Sequence, residues 1–308
     1  MFWEQYRHPE KINIKIENTD EDFERIKRKK VSNFMCEDYQ ELIDRISKEW
    51  ESIHPADEEP EMKWFDLCKE INLWTYWQGR GVKNVDILVV GQDWGNPFQD
   101  KKTTRMLIDN ISKINSGELE ANCLYGIKSP YATDRNLRYL FQELKCGEDV
   151  LYPDIIENRY NNLFFTNFCL GYRKGKESGG MTKEVMMRDS QYFRELVEIL
   201  KPKIVICLGK DTFECVWQTM TGEEINISST DYWNMLNRFE NRKILQDGMI
   251  IYGMGHCGSF GININRKKYD QNEFPELATC SGKALMKRDW QVVNKDIEKL
   301  KIRAEILK

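Results

Sequence analysis

The sequence predicts an α/β fold: a central, mainly parallel four-stranded sheet with helices on both faces, plus an N-terminal helical extension. Apolar residues run almost without interruption through four short segments, as in strands buried on both faces: 85–90, 162–166, 204–208 and 249–252. Segments with helical apolar spacing separate these strands, which favours right-handed βαβ crossovers. Residues 1–80 show helical patterns and no strand pattern, so we expect an extension over 1–80 packed on an α/β domain over 81–308.

The helical segments carry apolar residues three and four positions apart. In the extension they lie at 20–30, 37–53 and 61–77. In the sheet region they lie at 136–145, 188–201, 210–220 and 282–305. The segment 221–247 is predicted to be an irregular insertion with a short helix near DYWNMLNRF.

Composition limits the possible functions. The chain has 308 residues and a net charge of -4, so the whole molecule has no basic field for nucleic acid, although a local basic face is possible. Nine cysteines without a C-x-x-C pair suggest reduced thiols in a cytoplasmic protein, with Cys207 and Cys215 packed in the core. Three histidines argue against a multi-histidine metal site. No apolar run reaches the roughly 20 residues of a membrane span.

Each predicted strand is followed by unusual polar residues. The first ends in Gly91-Gln92-Asp93, the second in Asn167, the third in Gly209-Lys210 and the fourth in Gly255-His256. In open α/β sheets the ligand site lies at the carboxyl ends of the strands. We therefore expect Asp93, Asn167 and His256 to face one crevice.

Four motifs in this order resemble the uracil-DNA glycosylase superfamily. They are VDILVVGQDWG (85–95), NNLFFTN (161–167), KPKIVICLGKDTF (201–213) and IIYGMGHCGSFG (250–261). The resemblance covers about residues 80–266. It implies a DNA partner and a DNA glycosylase that flips out uracil or a modified pyrimidine and hydrolyses its N-glycosidic bond, in base-excision repair or in defence against phage.

The resemblance also assigns roles to single residues. Asp93 positions water and opposes the cationic sugar, Asn167 reads the base edge, and His256 stabilises the departing base anion. The backbone of Gln92 lines the base pocket. For each side chain a structural role is the alternative: a helix cap for Asp93, a turn cap for Asn167 and a surface hydrogen bond for His256.

Further residues are implied to contact DNA or the base. Phe260 matches the apolar residue that the family inserts into the duplex as a wedge, with packing in the core as the alternative. The ring that stacks on the base is Tyr131 or its rival Phe98, and a structural role is the alternative for either ring. The remaining candidates are phosphate contacts: Gly258 and Ser259 beside His256, and Arg173, Lys174 and Lys176 in a basic loop that could instead be only solvated.

Three departures from the family pattern change the expectations. Trp94 and Gly95 replace a proline and a tyrosine that crowds the pyrimidine C5, so a base larger than uracil is expected to fit. The cysteine spacing predicts no iron–sulfur cluster, and no other cofactor is expected. The loop after His256 lacks the family's prolines, and its Cys257 could be a reactive thiol.

Two other functions remain open from the sequence. The fold could serve as a nucleic-acid or nucleotide binding module without turnover. An unrelated α/β enzyme that binds a nucleotide is less well supported, because no G-x-G-x-x-G or phosphate loop follows any strand.

Overall fold

A computed structural model describes residues 37–58, 60–64, 85–93, 132–141, 143–146, 149–150, 163–174 and 180–300. The chain divides into two compact units, Met1–Lys30 and Val31–Lys308. The helix predicted at 20–30 lies outside the described residues. The described part of the predicted extension, from residue 37 to residue 64, belongs to the same unit as the sheet.

The strands, in chain order, are β1 (Met62–Lys63), β2 (Ile87–Gly91), β3 (Lys145–Cys146), β4 (Asp149–Val150), β5 (Leu163–Asn167), β6 (Tyr172–Arg173), β7 (Ile204–Leu208), β8 (Arg242–Ile244) and β9 (Ile250–Met254). The helices are α1 (Glu37–Ile53), α2 (Ala132–Phe141), α3 (Lys183–Met187), α4 (Ser190–Leu200), α5 (Lys210–Thr221), α6 (Ser229–Asn237), α7 (Ser259–Asn263), α8 (Gly282–Gln291) and α9 (Asn294–Lys299). Two 3-10 helices cover Asn265–Lys267 and Pro275–Leu277.

The main sheet has five strands in the order β5-β2-β7-β9-β8. The four strands predicted from apolar runs are confirmed, and they pair in parallel. Strand β8 corrects the four-stranded prediction, because it adds an antiparallel edge strand inside the segment expected to be irregular. Its residues Arg242, Lys243 and Ile244 are largely accessible to solvent, so the strand lacks the apolar run that revealed the others.

The first helix agrees with its prediction, and the segment after it does not. Helix α1 spans Glu37–Ile53 as expected and packs against α4. The predicted helix over 61–77 is wrong at Met62 and Lys63, which form β1 and pair antiparallel with Arg173 and Tyr172 of β6. A partner distant in sequence overrides the local helical pattern here. Residues 65–77 lie outside the described part.

Other helix boundaries shift. Helix α2 begins at Ala132, before the predicted start, and residues 145–146 form a strand instead of the helix end. The helix predicted over 282–305 is interrupted, since α8 ends at Gln291 and α9 begins at Asn294. Within the described chain, no helix combines the length and the apolar character that crossing a membrane requires.

The core lies on both faces of the sheet. Strands β2, β7 and β9 are buried along their whole length, as their continuous apolar runs predict. Cys207 and Cys215 are buried in this core, as expected. Burying these strands on both faces leaves their ends as the place where polar side chains can meet solvent.

Candidate active site at the carboxyl ends of the parallel strands

The strand order creates a topological switch point at one edge of the sheet. The chain runs from β2 to β5, which lies on one side of β2, and then to β7, which lies on the other side of β2. Such a reversal of direction is a topological switch point, and in open α/β sheets ligands bind there, outside the carboxyl ends of the strands. Asp93 follows β2, Asn167 ends β5, and His256 follows β9, so all three lie at this edge.

Asn167 is packed across the end of β2. It pairs with Gly91 in the β2–β5 ladder, and its side chain is buried, with the residue only 6 % exposed. A Cβ at Gly91 would clash with the Asn167 Oδ1 atom. The residue therefore belongs to the sheet ladder, and its amide packs against the end of β2. The glycine that ends β2 makes room for the amide of its neighbour.

Substitution of Gly91 by Ala tests this packing. We expect it to destabilise the fold by about 1–3 kcal/mol, because the new methyl group overlaps the Asn167 amide. Asn167→Ala removes the overlapping oxygen, so the double variant should be more stable than the sum of the two single changes predicts. Urea unfolding of all four proteins measures the coupling. Additive effects would contradict the contact.

Asp93 is held by the segment that follows β5. The Phe168 and Cys169 N–H groups donate to the Gly91 and Gln92 carbonyls, at 2.9 Å each, so the two segments run on together beyond their strands. Arg173 then donates to Asp93 Oδ2 from Nε at 2.9 Å, and its Nη2 lies 2.7 Å from the same oxygen. The ion pair is largely buried, with side chains 13 % (Arg173) and 6 % (Asp93) exposed.

The pKa of Asp93 reflects two opposing effects. Burial raises the pKa of this carboxyl group above its ordinary value, and the neighbouring Arg173 charge and hydrogen bonds oppose the rise without cancelling it. Sequence reasoning treated Arg173 as a phosphate contact and missed this pairing, because the two residues are far apart in the chain. Lys174 is paired as well, with its Nζ 2.6 Å from Glu61 Oε2.

His256 lies on the loop after β9, and solvent reaches its side chain. Its Nδ1 accepts a hydrogen bond from the Gly258 N–H at 3.1 Å, so in the neutral ring Nε2 carries the proton. Surrounding protein atoms nevertheless remove water from part of the ring, and this desolvation lowers the pKa of His256. This shift favours the neutral ring, which has a hydrogen-bond donor at Nε2.

Neighbouring elements fix the His256 loop. A Cβ at Gly209, directly after β7, would lie 3.8 Å from the His256 Cβ, so the ends of β7 and β9 are in close proximity. Helix α2 supports the loop from another side, since Asn136 Nδ2 donates to the Cys257 carbonyl at 2.7 Å. The Cys257 side chain is buried, which argues against the reactive-thiol alternative.

The predicted wedge residue is accessible. Phe260 is 58 % exposed on α7, so it does not pack in the core, and Lys268 Nζ lies 5.4 Å from its ring centroid. Ser259 is the first residue of α7 and is also exposed. The Gly258 N–H is already used by His256, so this amide is not available to a phosphate in the conformation observed.

Several predicted site residues fall outside the part of the chain that the structure describes. Gln92 is described, and its Nε2 lies 3.8 Å from Met186 Sδ. The residues whose roles stay predictions without a described position are Trp94, Gly95, Phe98, Tyr131 and Lys176.

No protein-family model and no curated protein matches the chain. The class of protein is therefore defined by the fold and the site together. It is an α/β protein with a mainly parallel sheet, in which a carboxylate, an amide and an imidazole stand at the carboxyl ends of three of the parallel strands.

Proposed function

We propose that this protein is a DNA glycosylase that hydrolyses the N-glycosidic bond of uracil or a C5-modified pyrimidine. The observation that carries the proposal is that Asp93, Asn167 and His256, which are distant in sequence, lie at one edge of the sheet on either side of its switch point. Their order and strand context resemble those of the uracil-DNA glycosylase superfamily. The biological setting is base-excision repair or defence against phage DNA.

Each side chain suits one part of that reaction. Cleavage of an N-glycosidic bond passes through a cationic sugar, which the Asp93 carboxylate stabilises while it orients the attacking water. The Asn167 amide offers a donor and an acceptor to the edge of the pyrimidine. The buried packing of this amide against Gly91 fixes its orientation, which favours one pattern of hydrogen bonds on the base.

His256 suits the leaving group. The base departs as an anion, and a neutral imidazole that donates from Nε2 stabilises the negative charge through this hydrogen bond. The hydrogen bond from Gly258 to Nδ1 selects the tautomer that can donate in this way. Phe260, four residues later on α7, is exposed, which supports a role for its ring as the wedge that enters the base stack.

The direct test is release of free base from DNA. Oligonucleotides that carry one uracil, 5-hydroxymethyluracil or thymine, each single-stranded and double-stranded, are incubated with the full chain. Free base is detected by mass spectrometry, and abasic sites are detected by alkaline strand cleavage. Release of at least one of these bases supports the proposal. The absence of release from every substrate, with binding intact, would contradict it.

Substitution of His256 by Asn tests the role of the imidazole. We expect base release to slow by about 10²–10³-fold, because the shorter Asn side chain ends near the position of Nδ1 and does not bring a donor to the place of Nε2, beside the developing anion. Asn136→Ala is the matched control for loop geometry, since it removes the hydrogen bond to the Cys257 carbonyl and leaves the imidazole in place. An equal loss of rate in both variants would indicate that loop geometry, and not the donor, sets the rate.

One observation favours binding without turnover. The Asp93 carboxylate already forms a buried ion pair with Arg173, which reduces its capacity to act on water. In that case the chain would bind DNA and release no base. The same oligonucleotide set separates the two functions, because binding is read from fluorescence anisotropy and turnover from free base.

A further inference from the structure

We propose that Arg173 is a positioning residue for Asp93, which holds the carboxylate in its charged form and in one orientation. This inference rests on the proposed function for its catalytic meaning. Its structural basis is that both guanidinium contacts, from Nε and Nη2, converge on Oδ2 of Asp93. Within the part of the chain that the structure describes, these contacts leave Oδ1 as the oxygen that can engage a water molecule.

The position of Arg173 is set by the N-terminal segment. Arg173 lies on β6, which pairs with β1 in the register Met62↔Arg173, and the next N–H, that of Lys174, donates to the Glu61 carbonyl at 2.9 Å. Gly171, with φ 73°, makes the turn into β6. A side chain there would meet the Lys63 carbonyl oxygen and the Trp50 ring. The segment around residues 61–63 therefore brings the guanidinium to Asp93.

Few charged groups compete with this pair. Within the described part of the chain, Arg173 is the charged group that acts on Asp93. The Cys169 thiol also lies near, but burial raises its pKa well above the ordinary value, so the thiol stays neutral. Among the described residues this arginine supplies the opposing charge to a largely buried carboxylate, and it therefore favours the ionised form of that carboxylate.

The test compares Arg173→Gln with Arg173→Lys in the full chain. Carboxyl ¹³C resonances are followed against pH, with Asp93 assigned from its absence in Asp93→Asn. We expect Arg173→Gln to raise the Asp93 pKa by about one to three pH units, because the opposing charge is lost, and Arg173→Lys to retain most of the wild-type value. Lys203→Gln is the control, since Lys203 pairs with Asp86 at the opposite end of β2. It should leave the Asp93 pKa unchanged.

Base release then tests the orientation. In Arg173→Gln the acid limb of the rate–pH profile should shift to higher pH, because the pKa of Asp93 is raised. In Arg173→Lys the limb should stay in place while the plateau falls about 10- to 100-fold, because a single ammonium group does not fix Oδ2 as two guanidinium donors do. The lysine variant decides the outcome if the glutamine variant does not fold.

The outcomes separate the two proposals. An Asp93 pKa that does not change in Arg173→Gln, or a plateau in Arg173→Lys equal to wild type, would overturn the role of Arg173. If wild type releases no base from any substrate, the proposed function fails, and the ¹³C titration still decides whether Arg173 controls the ionisation of Asp93.

Discussion

Replacement of Asp93 by Asn is expected to slow base release by about 10²–10⁴-fold, the largest effect on activity that we expect from a single change. The amide keeps the size of the side chain and loses the negative charge that stabilises the cationic sugar and orients water. Single-turnover release with enzyme in excess measures this directly, because it is independent of product dissociation. A wild-type rate in Asp93→Asn would contradict the role of Asp93.

The Asp93→Asn variant also breaks the largely buried ion pair between Asp93 and Arg173. Breaking a buried ion pair in this way costs up to about 3–5 kcal/mol of stability. The double variant Asp93→Asn with Arg173→Gln removes both charges, so it should recover much of that stability and remain inactive. Asp86→Asn is the matched control, since Asp86 lies before β2 and pairs with Lys203, far from the carboxyl edge.

Replacement of His54 by Asn is expected to destabilise the fold by about 3–5 kcal/mol, as large an effect on stability as we expect from any single change. His54 is fully buried between two carboxylates, with Nδ1 2.8 Å from Glu58 Oε2 and Nε2 2.9 Å from Asp189 Oδ2. Arg188 Nε completes the cluster at 2.6 Å from Glu58 Oε1. Without the imidazole, Asp189 is left buried without a cation in contact.

Urea unfolding measures this loss, and His256→Asn is the matched control. The same substitution at an accessible histidine affects at most one hydrogen bond, that from the Gly258 N–H, so it should cost no more than about 1 kcal/mol. We expect the two variants to separate stability from chemistry: His54→Asn unfolds more easily, and His256→Asn loses base release. Equal stability of the two variants would contradict the importance of the buried cluster.

The His54 cluster also predicts how stability depends on pH. Burial by itself lowers the pKa of His54, but the hydrogen bonds and charges of Asp189 and Glu58 outweigh it, so the pKa is raised above 6.5 in the folded protein. The folded state therefore binds this proton more tightly than the unfolded state. The stabilisation is fully present below about pH 6.5 and is lost as pH rises through the folded pKa. Unfolding measured from pH 6 to pH 9 should show this decline in wild type and not in His54→Asn.

The buried His54 cluster is linked to the candidate site through the segment that follows β5. Asp189 accepts a hydrogen bond from the Leu170 N–H, and Leu170 lies between Asn167 and Arg173. The buried histidine thus anchors the segment that carries two residues of the candidate site. This connection explains why residues before the sheet matter for a site at the sheet's edge.

The amino-acid sequence by itself determined the parallel sheet and the position of polar residues at its strand ends. Continuous apolar runs are a local signal, because a strand buried on both faces needs apolar side chains at every position. Parallel strands then bring their carboxyl ends to one edge, which predicted that Asp93, Asn167 and His256 would lie together.

Only the tertiary structure decided which groups those residues touch. The pairing of Arg173 with Asp93, the strand formed by Met62 and Lys63, and the antiparallel edge strand β8 all depend on partners distant in sequence. None of these segments carries a periodic pattern long enough to reveal its partner. The physical reason is that hydrogen bonds and ion pairs between distant segments form only after the chain has packed, so local sequence does not encode them.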